Sequence, residues 1–535
     1  MAPSTSDGQP RLLYLQLFLL LLAALTVRVC VSMWGHSGQG KPPMFGDFEA
    51  QRHWMEVTVN LPTSEWYVDT ARNDLQYWGL DYPPLTAYHM MLNGKIALRV
   101  SPRLVALNVS RGLEDAEAKV FMRTSVLAMD VLLFLPAVAA YFLLQQSTIG
   151  PDHDLLGCVS VLAIYPGLIL IDNGHFQYNN VSLGLLVLAT LAITWRRDFL
   201  AALLFCCALN YKQMELYHAL PFFSYLLGSC VTTTWTAGLK KLVMLAVTVV
   251  ACFAAVWSPF LGTVESVVAV IHRLFPLKRG LYEDKVANFW CSVSVLIKFK
   301  DKFADSDMAI ICLVVTGICL LPSFLHLLRN PTIRNFHYAL INTSLVFFLF
   351  SFHVHEKSIL LAAIPACLVV KSDPLPVVWF LLVSVFSMLP LLLKDGLLIP
   401  TFATTCLFWL AVTYFLNPTR QVSPHVRKVF VLSLVIAACI AMATLLVPPP
   451  KRFPDIFPLL ISIYSCAHFF LFAAYFHLRQ FGREGFLLEV TSTSVPQADS
   501  VHGASKSAVS SRGNDVQSSH KQTANTAKLK HRKQL

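Results

Sequence analysis

The sequence predicts an all-α protein that crosses a membrane many times. Hydrophobic residues make up 55% of the 535-residue chain and charged residues 14%, and the mean hydropathy is +0.57. Soluble domains carry roughly 25% charged residues, so this composition indicates an integral membrane protein. The apolar residues fall in long runs, and these runs are predicted to be helices because open strands leave backbone groups unpaired in lipid.

The first apolar run, residues 12–33, has about 22 residues and can cross a hydrocarbon core of roughly 30 Å. We interpret it as an uncleaved span, because it lacks a convincing small-residue cleavage site. The sequence predicts about 14 spans in all, although apolar runs of 10 to 14 residues are also typical of re-entrant or interfacial segments. The other runs are 123–144, 154–172, 179–195, 199–209, 215–233, 240–262, 307–328, 338–352, 357–371, 375–393, 399–416, 428–447 and 455–478.

This pattern divides the chain into a short cytosolic N-terminus (1–11), a membrane domain (12–480) and a basic cytosolic tail (481–535). With a cytosolic N-terminus, the even-numbered connections carry about twice as many Lys and Arg residues as the short odd-numbered ones, which is the bias of the positive-inside rule. The odd-numbered connections then face the lumen. They include a first luminal loop (34–122) and a large luminal loop (263–306).

The tail accounts for part of the formal net charge of +11. It is rich in Ser, Thr, Gln and Lys, a composition that cannot bury a core and that predicts disorder, not nucleic-acid binding. Its last four residues, RKQL, resemble a basic retrieval signal of endoplasmic-reticulum membrane proteins. The alternative is that this basic end arose by chance. The 13 cysteines form no C-x-x-C pair and no ligand spacing, so neither a zinc site nor a disulfide framework is indicated.

Polar, aromatic-rich strings lie only on the predicted luminal side, and the cytosolic connections are comparatively featureless. The strings are MFGDFEAQRHWME (44–56), YWGLDYPPLTAYH (77–89), IDNGHFQYNN (171–180), NYKQMELYHALPFF (210–223), RLFPLKRGLYEDKVANFWC (273–291), FHVHEKS (352–358) and LLLKDG (391–396). Charged groups near helix ends tend to face a cavity or a partner, because they cost at least ~2.5–3.5 kcal/mol at a membrane centre. We therefore predict that the luminal connections build one polar site.

Asp47 and Asp81 are the strongest acidic candidates. Asp47 follows Gly46 at the start of a predicted helix, so it could cap that helix or accept a proton from a substrate hydroxyl. Asp81 precedes two prolines, which would hold it in an extended turn, either as a site acid or as a rigid turn residue. Arg52 and Glu56 have the spacing of an ordinary i,i+4 salt bridge.

Cationic candidates are Arg279, Lys212 and His355. Arg279 lies in a basic stretch that suits a phosphate, although such a loop also suits anionic headgroups. His355 and its neighbours His353, Glu356 and Lys357 suit phosphate or sugar contact, or else interfacial snorkelling. Residues of similar status are Lys212, Gln213, Glu215, Asp172, His175 and Gln177. Six aromatic residues could form a sugar-stacking platform or an interfacial aromatic belt. They are Trp54, Trp66, Tyr77, Trp78, Tyr82 and Trp290. Sequons occur at Asn108, Asn180 and Asn342, of which only Asn108 lies clearly in a luminal loop.

Taken together, seven strings closely resemble the lipid-linked-oligosaccharide glucosyltransferases of the endoplasmic reticulum. They are GDFEAQRHWME, QYWGLDYPPLTAYH, GHFQYNNVSLG, NYKQMELYHALPFF, LFPLKRGLYEDKVANFW, VHEKSILL and SMLPLLLKD. The resemblance runs from about residue 26 to about residue 480. It implies the GT-C fold, a multispan bundle with catalytic luminal loops in the endoplasmic-reticulum membrane.

The family contains a first and a second glucosyltransferase, and GDFEAQRHW, NYKQMELYHA and GLYEDKVANFW resemble the first. That resemblance implies inverting α-1,3 transfer of glucose from dolichyl phosphate glucose to the terminal mannose of dolichyl-diphosphate Man9GlcNAc2. It implies Asp47 as the catalytic base. Members of the GT-C fold differ in their use of a metal, and because the lipid phosphate leaves as an anion without an acid, we predict no cofactor and no metal here. Asp81 and Asp284 resemble further site acids of the family, and His355 lies in a string that carries the resemblance. The predicted substrate-binding residues are these three together with Arg279, Lys212 and Tyr82. The alternatives are the sibling enzyme that adds the second glucose and, in a different class, a polytopic lipid or sugar transporter.

Overall fold

The computed structural model describes residues 8–275, 285–420 and 422–482, and within them every regular element is a helix. The all-α prediction is confirmed for these residues; their only β-type pairing is an isolated bridge between Thr70 and Asn73. Two predicted site residues, Arg279 and Asp284, lie outside the described residues, as does the retrieval-like end of the tail.

Most helices follow one another closely, and the longest connection between α-helices within the first loop is 61–83. In chain order, the α-helices are Gly8–Ser32, Gly46–Asn60, Pro84–Val100, Ala116–Met129, Leu135–Leu143, Gln146–Ile149, Asp152–Ala163, Pro166–Ile169, Asn179–Thr194, Asp198–Tyr211, Leu216–Val231, Trp235–Trp257, Val264–Leu274, Phe289–Val293, Asp305–Arg329, Ile333–Phe350, Leu360–Leu368, Pro374–Ser387, Leu389–Lys394, Leu398–Phe415, Pro424–Leu446 and Ile456–Gln480. Two π-helical segments, Asp130–Phe134 and Leu170–Phe176, continue the helices before them. Short 3₁₀ helices are Thr63–Glu65, Pro102–Leu104, Gln213–Glu215, Ser258–Phe260, Phe299–Asp301 and Glu356–Ile359.

The chain is a multi-pass membrane protein. In the described ranges, eight helical stretches are long and apolar enough to cross a membrane: Arg11–Ser32, Ala116–Leu143, Asp152–Phe176, Trp235–Phe260, Asp305–Arg329, Leu398–Phe415, Pro424–Leu446 and Ile456–Gln480. Three apolar helices are shorter: Asn179–Thr194, Asp198–Tyr211 and Pro374–Ser387. Every apolar run of the sequence overlaps a helix, whereas the count of about 14 spans stays a prediction.

The first loop has a hydrophobic core of its own. Phe48, Trp54 and Trp66 are buried in it, together with Phe176 and Tyr211 from the membrane helices. Burial on this scale favours a fixed position for the loop, because each large apolar side chain removed from water contributes roughly 1.5–3 kcal/mol. The interfacial-belt alternative is therefore wrong for Trp54 and Trp66, which are 3% and 1% exposed.

The helix Gly46–Asn60 also buries charge. The Arg52 guanidinium donates to Glu49 at 2.6 Å and to Glu56 at 2.7 Å, and all three side chains are at most 1% exposed. Tyr77 OH donates to Glu49 and the Asn108 backbone N–H donates to Glu56, so these acids also bind other parts of the loop. The predicted salt bridge of Arg52 with Glu56 is confirmed, and it holds the helix inside the loop core.

Candidate active site

Asp47 lies in the first turn of its helix but does not cap it. The residue before the helix is Phe45, with φ of 57°, and it makes no side-chain cap. Gly46 follows with φ of 68°, and a Cβ at Gly46 would lie 2.6 Å from the backbone of Ser37, so only glycine fits this entrance. The capping alternative for Asp47 is wrong, because its carboxylate contacts other segments of the chain.

Three donors from distant segments converge on a single oxygen of Asp47, Oδ2. His175 Nε2 lies 3.0 Å from it and Gln177 Nε2 lies 2.5 Å from it. The Lys357 ammonium forms an ion pair with the same oxygen. The first two donors come from the end of the π-helical segment Leu170–Phe176, and the third from the 3₁₀ helix Glu356–Ile359. The site is therefore assembled by tertiary contacts.

His175 bridges two carboxylates. Its Nδ1 lies 2.5 Å from Asp395 Oδ2, on the side opposite to Asp47, and the His175 and Asp395 side chains are 4% and 3% exposed. Each ring nitrogen faces a carboxylate oxygen, an arrangement that suits an imidazolium, which donates from both nitrogens. Asp395 directly follows the helix Leu389–Lys394, and it fixes the orientation of the ring.

The charges around Asp47 keep it ionised. Burial alone raises the pKa of the Asp47 carboxyl, but the positive charges of Lys357 and His175 outweigh burial and hold that pKa well below its usual range. At neutral pH the group is therefore a carboxylate, which is the form that can accept a proton.

A second cluster of polar side chains contacts the residues around Asp47 through Gln177. The Gln177 side chain donates to Asp47, while its Oε1 accepts from Tyr82 OH at 3.3 Å and from Lys212 Nζ at 3.5 Å. The Lys212 ammonium also donates to Asn179 Oδ1 at 2.5 Å and lies 4.9 Å from the centre of the Tyr82 ring. Burial, with a further contribution from Lys357, lowers the pKa of Lys212 to about 8. The structure thus brings the predicted residues Lys212 and Tyr82 next to Asp47.

Tyr82 forms part of a half-exposed aromatic surface. Its ring lies 4.9 Å from that of Trp54, whose indole N–H donates to the carbonyl of Trp78 at 2.9 Å. A further hydrogen bond, from Tyr67 OH to the Tyr82 carbonyl at 2.8 Å, fixes the backbone there. An aromatic ring fixed in this way can support one face of a sugar.

Two other predicted site residues, Asp81 and His355, are described by their position in the chain and their burial. Asp81 is half-buried directly before Tyr82, and its carbonyl accepts from Gln213 Nε2 at 2.9 Å. His355 is half-buried and immediately precedes the 3₁₀ helix that carries Lys357. Their roles, like those of Arg279 and Asp284 outside the described residues, stay predictions.

Four residues form the contacts around Asp47 and its histidine partner: His175, Gln177, Lys357 and Asp395. The sequence predicts His175, Gln177 and Lys357 for phosphate or sugar contact, but not for contact with Asp47, and it does not predict Asp395 as a site residue. All four lie in the polar strings 171–180, 352–358 and 391–396. The sequence placed these strings on one side of the membrane but could not rank the polar residues within each. In the described ranges no group of three or more His, Cys, Asp or Glu residues is arranged to hold a metal ion.

Comparison with known proteins gives a family match over most of the chain. A family model described as "ALG6, ALG8 glycosyltransferase family" matches residues 22–475. The chain is similar to proteins named dolichyl pyrophosphate Man9GlcNAc2 alpha-1,3-glucosyltransferase. It is 48% identical to that of Gallus gallus over 483 residues, which cover 86% of this chain and 95% of the relative. It is 46% identical to that of Mus musculus over 484 residues, with the same coverage of 86% and 95%. It is 48% identical over 459 residues to a Drosophila melanogaster protein with the same name preceded by "Probable", with 85% and 96% covered.

Proposed function

Because the chain belongs to the ALG6, ALG8 glycosyltransferase family, we propose that it adds the first glucose to the terminal mannose of dolichyl-diphosphate Man9GlcNAc2, forming an α-1,3 bond. The donor is dolichyl phosphate glucose, and the reaction is a step of lipid-linked oligosaccharide assembly for protein N-glycosylation. The family match and the names of the relatives support the enzyme class and the acceptor. The donor follows from the sequence resemblance.

The observation that carries a mechanism is the carboxylate of Asp47, which is held by His175 and Lys357 and kept ionised. A β-linked donor and an α-linked product require a single inverting displacement. The acceptor 3-hydroxyl oxygen bonds to C1 of glucose while the bond from C1 to the phosphate oxygen breaks. The hydroxyl proton moves to Asp47, and the lipid phosphate leaves with the electron pair of the broken bond. A single base is sufficient, because the phosphate leaves as an anion.

Cations near the leaving phosphate would stabilise the charge that develops on it. His355 is the first candidate, and Arg279 and Lys212 are further ones. Lys212 has support from the structure, because its ammonium is buried within 3.5 Å of the Gln177 side chain that contacts Asp47. Asp81 and Asp284 are the proposed acids for sugar hydroxyls, and Tyr82 the proposed aromatic contact.

The proposed compartment is the endoplasmic-reticulum membrane, with the site on the luminal side of a GT-C fold. Asp47, His175, Lys357 and Asp395 come from the first, third, ninth and eleventh connections in the numbering of the predicted spans. All are odd-numbered, and the excess of Lys and Arg lies in the even-numbered ones, which favours a luminal site. Because all four residues come from odd-numbered connections, they support a single site on one side of the membrane.

Glucose transfer by the purified protein tests this function. The donor is a dolichyl-phosphate-glucose analogue, and the acceptor is lipid-linked Man9GlcNAc2 in detergent. We expect transfer by the wild type, loss of it in Asp47→Asn, and normal transfer by Asp154→Asn, a matched change in the half-exposed ion pair with Lys371. An active Asp47→Asn variant would exclude Asp47 as the base. Transfer only to the monoglucosylated acceptor would assign the chain to the second glucosylation, and no transfer to either acceptor would contradict the enzyme assignment.

A further inference from the structure

The contacts of Asp47 create a problem for its proposed role. Both neighbouring cations, Lys357 and His175, bind Oδ2, the oxygen that also accepts from Gln177. A carboxylate that is stabilised in this way accepts a proton weakly, because the efficiency of a general base falls when its pKa lies far below the working pH. The loss of one of these contacts would raise the proton affinity of the carboxylate and make Asp47 a stronger base toward an acceptor hydroxyl.

The two cations also repel each other. Lys357 Nζ lies 3.3 Å from His175 Nε2, a distance at which two positive charges are strongly unfavourable unless an anion separates them. The His175 ring has a second anion, Asp395, on its far side. Among the described residues, the contacts of the Lys357 ammonium are with Asp47 and the His175 ring. Lys357 is therefore the cation that gains more from a new anion.

Lys357 is also the cation that can move. Its side chain is 22% exposed, whereas that of His175 is 4% exposed and is held between two carboxylates. A lysine ammonium ends a flexible four-carbon stem, and it binds phosphate as a point charge without strict geometry. Its 3₁₀ helix, Glu356–Ile359, follows the half-exposed segment that contains His355, the first candidate for the donor phosphate.

We propose that Lys357 is a donor-binding residue whose ammonium leaves Asp47 for the anionic phosphate diester of the glucosyl donor, so that donor binding itself frees the base. The inference rests on the proposed function and adds an order of events to it. Before the donor binds, Lys357 occupies Asp47 Oδ2. After it binds, Oδ2 keeps the contacts with His175 and Gln177 and can accept the hydroxyl proton. The base becomes competent only when the group to be transferred is in place.

Donor affinity, measured without catalysis, tests this exchange. The probe is a short-chain dolichyl-phosphate-glucose analogue, titrated against the purified full chain in detergent without acceptor. If Asp47 competes with the phosphate for Lys357, Asp47→Asn removes the competitor and tightens donor binding. We expect a gain of about fivefold or more, the lower end of typical couplings between linked equilibria. Lys357→Gln should weaken donor binding, and Lys357→Arg should restore much of it.

The double variant separates this exchange from simple charge repulsion. If Asp47 merely repelled the phosphate, Asp47→Asn would tighten donor binding equally in the Lys357→Gln background. The proposed exchange predicts no gain in that background, because the cation for which the two anions compete is gone. Lys371→Gln, which breaks an ion pair with Asp154, should leave donor affinity unchanged. The thermal unfolding midpoint of each variant serves as the check that it is folded.

The outcomes also distinguish this inference from the proposed function. A folded wild type that binds the donor, with no gain in Asp47→Asn or with an equal gain in both backgrounds, overturns the exchange and leaves the glucosyltransferase assignment intact. A folded wild type that does not bind the donor overturns the donor assignment, and the exchange with it. A gain that requires Lys357 supports the exchange, whatever the identity of the acceptor.

Discussion

Asp395 should act on catalysis without touching Asp47. It is 3% exposed and accepts from His175 Nδ1 at 2.5 Å, while the opposite ring nitrogen contacts Asp47. In Asp395→Asn the side-chain volume is kept and the negative charge is lost. The imidazolium then has one anion instead of two, and the ring no longer holds the Asp47 carboxylate in a fixed orientation. We predict a slower chemical step in a folded protein.

The size of the effect follows from the hydrogen bond that loses its charge. Hydrogen bonds to charged groups contribute ~1.5–3 kcal/mol, and each ~1.4 kcal/mol in the activation free energy changes a rate about tenfold. We therefore expect kcat to fall by about tenfold to about a hundredfold. A neutral ring would make Asp47 more basic, which opposes this loss. We expect the lost orientation to dominate, because every side-chain contact that Asp47 makes with the described residues is to one oxygen.

Steady-state kinetics of glucose transfer, with the donor and acceptor concentrations each varied, distinguishes a positioning role of Asp395 from a general loss of the site structure. A positioning role predicts a lower kcat with the KM for acceptor changed by less than about threefold, whereas a misfolded site would change both. His175→Gln should reduce kcat similarly, and adding Asp395→Asn to it should cost little more, because the two residues act as one unit. Asp154→Asn serves as the control. Wild-type kcat in Asp395→Asn, or additive losses in the double variant, would refute this role.

Three further predictions concern pH, stability and glycosylation. The pKa of Lys212 is about 8, so if its cationic form binds the donor, kcat/KM for donor falls as pH rises above this value. Lys212→Arg, which stays charged, should keep activity at higher pH, and an unchanged pH profile would contradict a role for this charge. Arg52→Met leaves Glu56 buried without its guanidinium partner and should cost ~3–5 kcal/mol of unfolding free energy, seen as a lower thermal midpoint. The exposed Arg103 gives the control, with a cost of at most about 1 kcal/mol for Arg103→Met. Asn108→Gln should remove one endoglycosidase-sensitive glycan, because Asn108 is exposed, and a wild type without a glycan would contradict a luminal first loop.

The hydropathy pattern locates the helices along the chain, but it does not show which residues pack around them. Each apolar run of the sequence overlaps a helix, because the distribution of apolar residues along the chain is itself the local signal. The sequence predicts a polar, luminal first loop whose tryptophans form an interfacial belt or a sugar-stacking platform. Instead it has a core, with Trp66 1% exposed. Burial of this kind depends on which segments pack together, and a single sequence does not record it.

The sequon positions show the same limit. Asn180 and Asn342 have the pattern of glycosylation acceptors, but both are fully buried, and Asn342 donates to Gln480 at 2.8 Å. Asn180 instead donates its backbone N–H to Asp172 at 2.6 Å. A short motif tests only three consecutive residues, whereas acceptor access depends on the fold around them.

The same limit applies to the site residues: the sequence identifies Asp47, but it does not show which residues contact it. Asp47 was identified because its own string carries both the chemistry and the family resemblance. Its partners could not be ranked in this way, since His175 is 128 positions and Lys357 310 positions away along the chain. Any polar residue in those strings was an equal candidate. The capping alternative for Asp47 was reasonable from local pattern, and it failed because two successive residues with positive φ, Phe45 and Gly46, form the helix entrance.

The hydrophobic core of the first loop also holds residues of the candidate active site in place. Phe176 has a φ of 94°, a conformation that costs roughly 1–3 kcal/mol in a residue with a side chain and that persists only where packing enforces it. The packing comes from Phe48, the residue next to Asp47, whose ring meets that of Phe176 at 5.0 Å. The turn at Phe176 separates His175 from Gln177, and both side chains reach the same carboxylate oxygen. The burial of Phe48 thus helps to place Asp47 and also supports the strained turn that presents its two partners, so packing in the first loop and the geometry of the site depend on the same residues.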